Sequence, residues 1–122
     1  MCAPETEFQD YIYYPKHICP PNLETHEVVT RTGGGQPALY LPATNVEEIE
    51  KEAAADGTFV SSGKPATFYK VHAFDHDIGA SNGALSRWIR VESTNGGFHG
   101  HPIPESRYIR MLTKAIVCIG DC

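Results

Sequence analysis

ALSRWIRVESTNGGFHGHPI, residues 84–103, is the stretch that decides the fold. Residues 85–93 alternate in character. Leu85, Arg87, Ile89, Val91 and Ser93 share one face of an extended strand, and Ser86, Trp88, Arg90 and Glu92 share the other. Asn95-Gly96-Gly97 is a tight-turn signal, because Asn and Gly tolerate the positive φ angles of a two-residue hairpin. Residues 98–103 therefore return as the partner strand. Pro102 and Pro104 limit that strand to a sheet edge, since proline has no N–H to give to a further neighbour.

Outward from this hairpin, residues 66–74 (ATFYKVHAF) read as a stronger strand. Thr67, Tyr69, Val71 and Ala73 oppose Phe68, Lys70, His72 and Phe74. Residues 75–83 read as a loop rich in Asp, Asn, Ser and Gly, and 58–60 as a short strand. Asn45 suits a helix N-cap with Glu48 three positions on, and Val46, Ile49 and Ala53 give an inward stripe, so 45–55 reads as a helix stopped by Gly57. Its glutamates read as a solvated face. Residues 105–119 read as a second helix through Tyr108, Leu112, Ala115, Ile116 and Ile119, with Gly120 as its stop. Nearer the N-terminus, Tyr11 to Tyr14 form an aromatic run closed by Pro15, either a short strand or a segment covering the core. Residues 26–32 (HEVVTRT) and 38–41 read as strands joined by Gly33-Gly34-Gly35. The expectation is one α+β domain over residues 1–122. It has a small, mainly antiparallel sheet of four to six strands, with a mid-chain helix and a C-terminal helix packed on it.

Composition narrows the classes of function. With 122 residues and a net charge of −5, the chain supports one core and argues against a large sequence-independent nucleic-acid surface, leaving room for a local basic patch. No apolar run approaches the roughly 20 residues a membrane span needs. The opening MCAPETEFQDYIYYPK lacks the basic and apolar regions of a signal peptide. The expectation is a cytoplasmic protein, or a mature domain released from a larger secreted one; an oligomer is left open. Cys2, Cys19, Cys118 and Cys122 show no C-x-x-C spacing, which disfavours a zinc ribbon. Free thiols are favoured over disulfides, of which one joining the termini is the alternative.

Candidate chemistry gathers on the hairpin. His99 and His101 follow the turn, Arg90 and Trp88 lie on the first strand, and the neighbouring strand offers Lys70 and His72. Imidazoles beside cations suit metal-independent RNA cleavage. One group takes the 2′-OH proton, another protonates the leaving 5′-oxygen, and the cation steadies the phosphorane. His99, His101 and His72 are the catalytic candidates, and Arg90, Lys70, Trp88 and Arg31 the substrate contacts. The order of elements is similar to that of small α+β toxin ribonucleases, an architectural likeness without a diagnostic motif. No cofactor is expected.

Four alternatives stay open. His99-x-His101 puts two imidazoles on one strand face, so a metal completed by His72, Asp75, His76 and Asp77 is the minority reading. The same pair followed by Glu105 is similar to the first metal motif of cupin barrels, which need further strands beyond this point. Arg31, Tyr69 and Glu105 are similar, at loose spacing, to the set used by ADP-ribosyl-transferring domains. A non-catalytic nucleotide-binding or inhibitory module of phage or defence type needs none of these histidines.

Overall fold

The computed structural model describes residues 5–116. It is an α+β fold with three α-helices and two mainly antiparallel sheets. The larger sheet has strand order β1-β8-β7-β4-β3: β1 is Asp10–Tyr11, β3 Thr58–Val60, β4 Thr67–Ala73, β7 Trp88–Thr94 and β8 Gly97–Ile103. A smaller sheet runs β2-β5-β6, from Leu39–Tyr40, Gly79–Ser81 and Ala84–Ser86. The helices are α1, Thr25–Arg31; α2, Val46–Asp56; and α3, Glu105–Leu112.

The β7–β8 hairpin forms as its sequence dictates, with Glu92 opposite His99 and Arg90 opposite His101. Asn95 and Gly96 both take positive φ, 56° and 84°, the geometry of a primed turn that matches strand twist. The short β1 lies parallel beside β8 only at Gly97 and Phe98, so the rest of β8 is an edge on that side. Pro102 is tolerated there because its missing N–H would have pointed off the sheet.

Alternation along β4, β7 and β8 divides the core between the two faces of the sheet. One face carries Phe74, Ile89, Val91 and Phe98, packed with Ala53 and Ala54 of α2 and with Phe8 and Tyr40. The other carries Tyr69, Val71 and Ile103, covered by Met111, Tyr108 and Leu112 of α3, with Trp88 at its margin. Ile89 and Val91 are wholly buried, each contributing about 1.5–3 kcal/mol by leaving water.

Four local readings need correction. Residues 26–32 are not a strand: α1 forms there, opened by the reciprocal capping box of Glu24 and Glu27. Gly34 and Gly35, at φ 65° and 80°, are its exit rather than a hairpin turn. The 75–83 loop contains β5, and Asn82-Gly83 makes a second hairpin into β6. Between β6 and β7 the expected single strand breaks at Arg87, where the buried Ser86 hydroxyl donates to the Ile103 carbonyl at 2.5 Å. Finally, α3 stops at Leu112. Ala115 instead bridges Val60, and the Ile116 N–H donates to the Phe59 carbonyl (2.8 Å), so the chain prefers to cover the β3 edge. Ile119 and Gly120 lie outside the described residues, as do Cys2, Cys118 and Cys122; Cys19 is a half-buried free thiol. No helix among the described residues is long and apolar enough to cross a membrane.

Candidate functional site

Helix α3 covers only part of its face of the large sheet. Beyond it, Arg90 and Glu92 of β7 and His99 and His101 of β8 open into a cleft of about 390 Å³. The opposite wall comes from the segment following β1, with Tyr14, Lys16 and His17, and the rim from Arg107 in the first turns of α3. Strand alternation places the β7 and β8 residues here: positions 90, 92, 99 and 101 all project to the side opposite α2.

The imidazoles are held by rings and carbonyls. His17 stacks on His101 with centroids 4.8 Å apart, and Tyr14 lies 4.6 Å from His99. His17 Nδ1 is 2.7 Å from the Ala38 carbonyl, and His101 Nδ1 is 2.9 Å from the Pro102 carbonyl. A carbonyl only accepts, so each Nδ1 carries the hydrogen and each Nε2 of the neutral ring keeps a lone pair.

Arg90 is the central cation. Its side chain is 13% exposed, its guanidinium lies 4.3 Å over the Tyr69 ring, and Nη2 donates to Glu92 at 3.1 Å. Arg90 Nε is buried with no hydrogen-bond partner among the described residues. Lys16, Arg90 and Arg107 thus meet a single carboxylate, Glu92, in a chain whose net charge is −5. Burial leads every pKa shift in the cleft, and the neighbouring cations add to it. Burial, reinforced by Arg90, pushes His101 down to about 3; burial also lowers His99 and His17, with Glu92 opposing the shift at His99 and the Ala38 bond opposing it at His17. Burial and then Arg90 lower Arg107 as well.

The expected residues divide sharply. His99, His101 and Arg90 come together. Trp88 shares their face, but packs at the edge of the α3 cluster. Lys70 and His72 are on the opposite face: Lys70 Nζ donates to the Ala54 carbonyl at 2.6 Å, and His72 lies 3.3 Å from Glu52. The two-residue period of a strand puts them there, so they do not meet the hairpin histidines. Arg31 is exposed at the end of α1 and does not line the cleft. Tyr69 lies under Arg90 and Glu105 is exposed at the start of α3, so no joint site with Arg31 forms. His76 is exposed and paired with Asp75 at 2.7 Å. Among the described residues, no three His, Cys, Asp or Glu side chains form a metal-ligand group.

Sequence reasoning missed Tyr14, Lys16, His17 and Arg107, because only the fold brings residues 14–17 against residues 99–101. It also missed Glu50. This glutamate is 3% exposed, accepts the Tyr40 hydroxyl at 2.6 Å and the Gly100 N–H, and is pushed up by burial to about 7, against the pull of both bonds. The glutamates of α2 are therefore not uniformly a solvated face.

A larger and more open groove, about 950 Å³, lies between α1 and β6, where Leu23, Val29, Pro42 and Leu85 are apolar and no Lys or Arg is present. Size favours that groove, but the chemistry is concentrated in the smaller cleft. No family model, no curated protein and no solved structure matches the chain.

Proposed function

We propose that the cleft binds a phosphodiester and that the protein is a small, metal-independent ribonuclease-like enzyme of the toxin type. The observation that carries this reading is the charge excess: three cations and one carboxylate around three neutral imidazoles, in a partly buried cleft of an acidic protein. A phosphate supplies the missing negative charge, and the guanidinium of Arg90, which lines the cleft, gives it a cationic donor already held in place by Tyr69 and Glu92. His99 is the general base. It is neutral in the free protein, and Glu92, paired opposite it, stabilises the imidazolium formed when it takes the 2′-OH proton. As the O2′–P bond forms, the P–O5′ bond breaks, and the leaving oxygen takes the Nε2 proton that His17 acquires from solvent when the phosphate binds. The bound phosphate raises the proton affinity of that ring. The products are a 2′,3′-cyclic phosphate and a 5′-hydroxyl. His101 supports His17 by stacking, and Lys16, Arg90 and Arg107 hold the phosphate.

A second reading, a non-catalytic nucleotide-binding module, is favoured by the lowered pKa of His17 and His101, which leaves the free protein without a charged imidazole acid. Cleavage of end-labelled single-stranded RNA in EDTA separates the two. Catalysis predicts cyclic-phosphate ends and a loss of about 10²-fold or more in His99→Ala. Binding without cleavage by the parent favours the second reading. Cleavage that EDTA abolishes would reassign the histidines as metal ligands.

A further inference from the structure

Glu50 never enters the cleft, yet it is bonded to the strand that forms it. The outward edge of β8 is served first by the N-terminal segment. The Gly96 carbonyl accepts from Gln9 and Asp10 N–H at 3.2 and 3.1 Å, and the Phe98 carbonyl accepts from Ile12 N–H at 2.8 Å. The chain then turns away through Pro15–His17. Gly100 is the next residue to present its N–H on that edge, and the Glu50 carboxylate receives it. Pro102, two residues on, has no N–H to satisfy. A side chain of α2 thus takes the place of the missing strand at one position, between His99 and His101.

The same carboxylate accepts from Tyr40 of β2, and β2 directly follows Ala38, whose carbonyl holds His17. Glu50 therefore ties together the two segments that anchor all three cleft imidazoles. Position 100 has no space for a side chain, because a Cβ there would lie 2.7 Å from the Arg90 carbonyl. Ionised, the carboxylate makes charge-assisted bonds to both donors. Protonated, it must place its own O–H in a buried setting, which reverses the Tyr40 bond and weakens the one to Gly100.

We propose that Glu50 is a positioning residue for the cleft, holding His99 and His101 through the Gly100 backbone, so that anion binding senses the charge on a carboxylate the ligand never touches. The inference rests on the phosphate-binding reading above. The charged and titratable groups around Glu50 are Tyr40, Tyr11 and Glu47, with Lys70 reaching the C-terminal end of α2 from β4. Burial outweighs the two hydrogen bonds and brings Glu50 into the neutral range, where its ionisation can be followed directly.

The test uses the full chain and sulfate, an anion that does not titrate between pH 5.5 and 8.5. The Gly100 amide and the His99 and His101 ring resonances should share one inflection near pH 7, and sulfate affinity should change severalfold across it. Glu50→Gln, which keeps the size and one acceptor oxygen but cannot ionise, should remove the inflection near pH 7 from all three signals and from the affinity profile, leaving only the rise at lower pH that protonation of the cleft imidazoles gives. Tyr40→Phe, which removes one stabilising donor, should move the inflection to higher pH without abolishing it. A merely structural Glu50 predicts neither result. If the Gly100 amide titrates while the rings do not follow, or if Glu50→Gln keeps the parent's affinity profile, the positioning role fails and anion binding stands. If the parent binds no sulfate at any pH, the phosphate reading fails and the inference fails with it.

Discussion

His17 and His101 stack face to face, 4.8 Å between ring centroids and 28° between planes, although 84 residues separate them. Each ring also donates through Nδ1 to a backbone carbonyl of its own wall, Ala38 for His17 and Pro102 for His101. The stack closes the cleft between the segment after β1 and the edge of β8, with both Nε2 atoms free of those bonds. Its position fixes which substitutions disturb ligand binding and which leave it alone.

Arg90 is the cation with the fewest alternatives, covered by Tyr69 and bonded to Glu92. Replacing it with Gln should weaken binding of a short RNA at least tenfold. The slope of log affinity against log salt should fall by about one phosphate contact. Fluorescence anisotropy across a potassium chloride series reads both quantities. A weaker affinity with an unchanged slope would mean that Arg90 shapes the cleft without touching phosphate.

His72 provides the opposite control. It faces α2 and meets Glu52, whose side chain is 51% exposed, so the pair contributes about 0–1 kcal/mol. His72→Ala should leave RNA binding and cleavage within about twofold of the parent. A loss comparable with that of His99→Ala would contradict the assignment of the site to the other sheet face.

Two buried groups set opposing trends of stability with pH. Glu50 is raised from 4.5 to about 7, so its contribution is full below pH 4.5 and lost as pH rises through 7. His101 is lowered from 6.5 to about 3, so its contribution is full above pH 6.5 and lost as pH falls towards 3. Between about pH 4.5 and 6.5 the trends cancel, each near 1.4 kcal/mol per pH unit. Urea unfolding should show Glu50→Gln gaining stability as pH rises through that window. His101→Gln should lose stability over the same range, and the parent should stay nearly flat.

Gly79 is a packing requirement between the two sheets. A Cβ there would overlap the Pro102 ring and come 2.8 Å from the Leu39 carbonyl. Gly79→Ala should cost about 1–3 kcal/mol, read as a lower Tm, and should disturb β8 at the proline that follows His101. Gly35→Ala also destabilises, but by backbone strain at φ 80° with nothing in the way.

Residues 84–103 determined much of this protein unaided. Strict alternation and an Asn-Gly turn are local instructions, so the hairpin, its register and the shared face of Arg90, His99 and His101 follow from the chain itself. The Asn45 cap and the Val46, Ile49 and Ala53 stripe likewise specified α2. Short segments such as α1 and β5 were decided by weaker local signals, a capping box and a second Asn-Gly, set against stronger impressions of strand and loop. What only the tertiary structure decided was company. Lys70 and His72 are ordinary strand neighbours of the hairpin, and the pleat sends them to the wrong face. His17 and Arg107 are remote in sequence, and packing delivers them to the cleft. Glu50 reads as one more acidic residue on a helix until α2 docks on the large sheet. There the unmet N–H of Gly100 and the hydroxyl of Tyr40 make its burial bearable. Hydrogen-bond demand at a sheet edge and burial of charge are properties of assembled elements, and no periodicity in the chain encodes them.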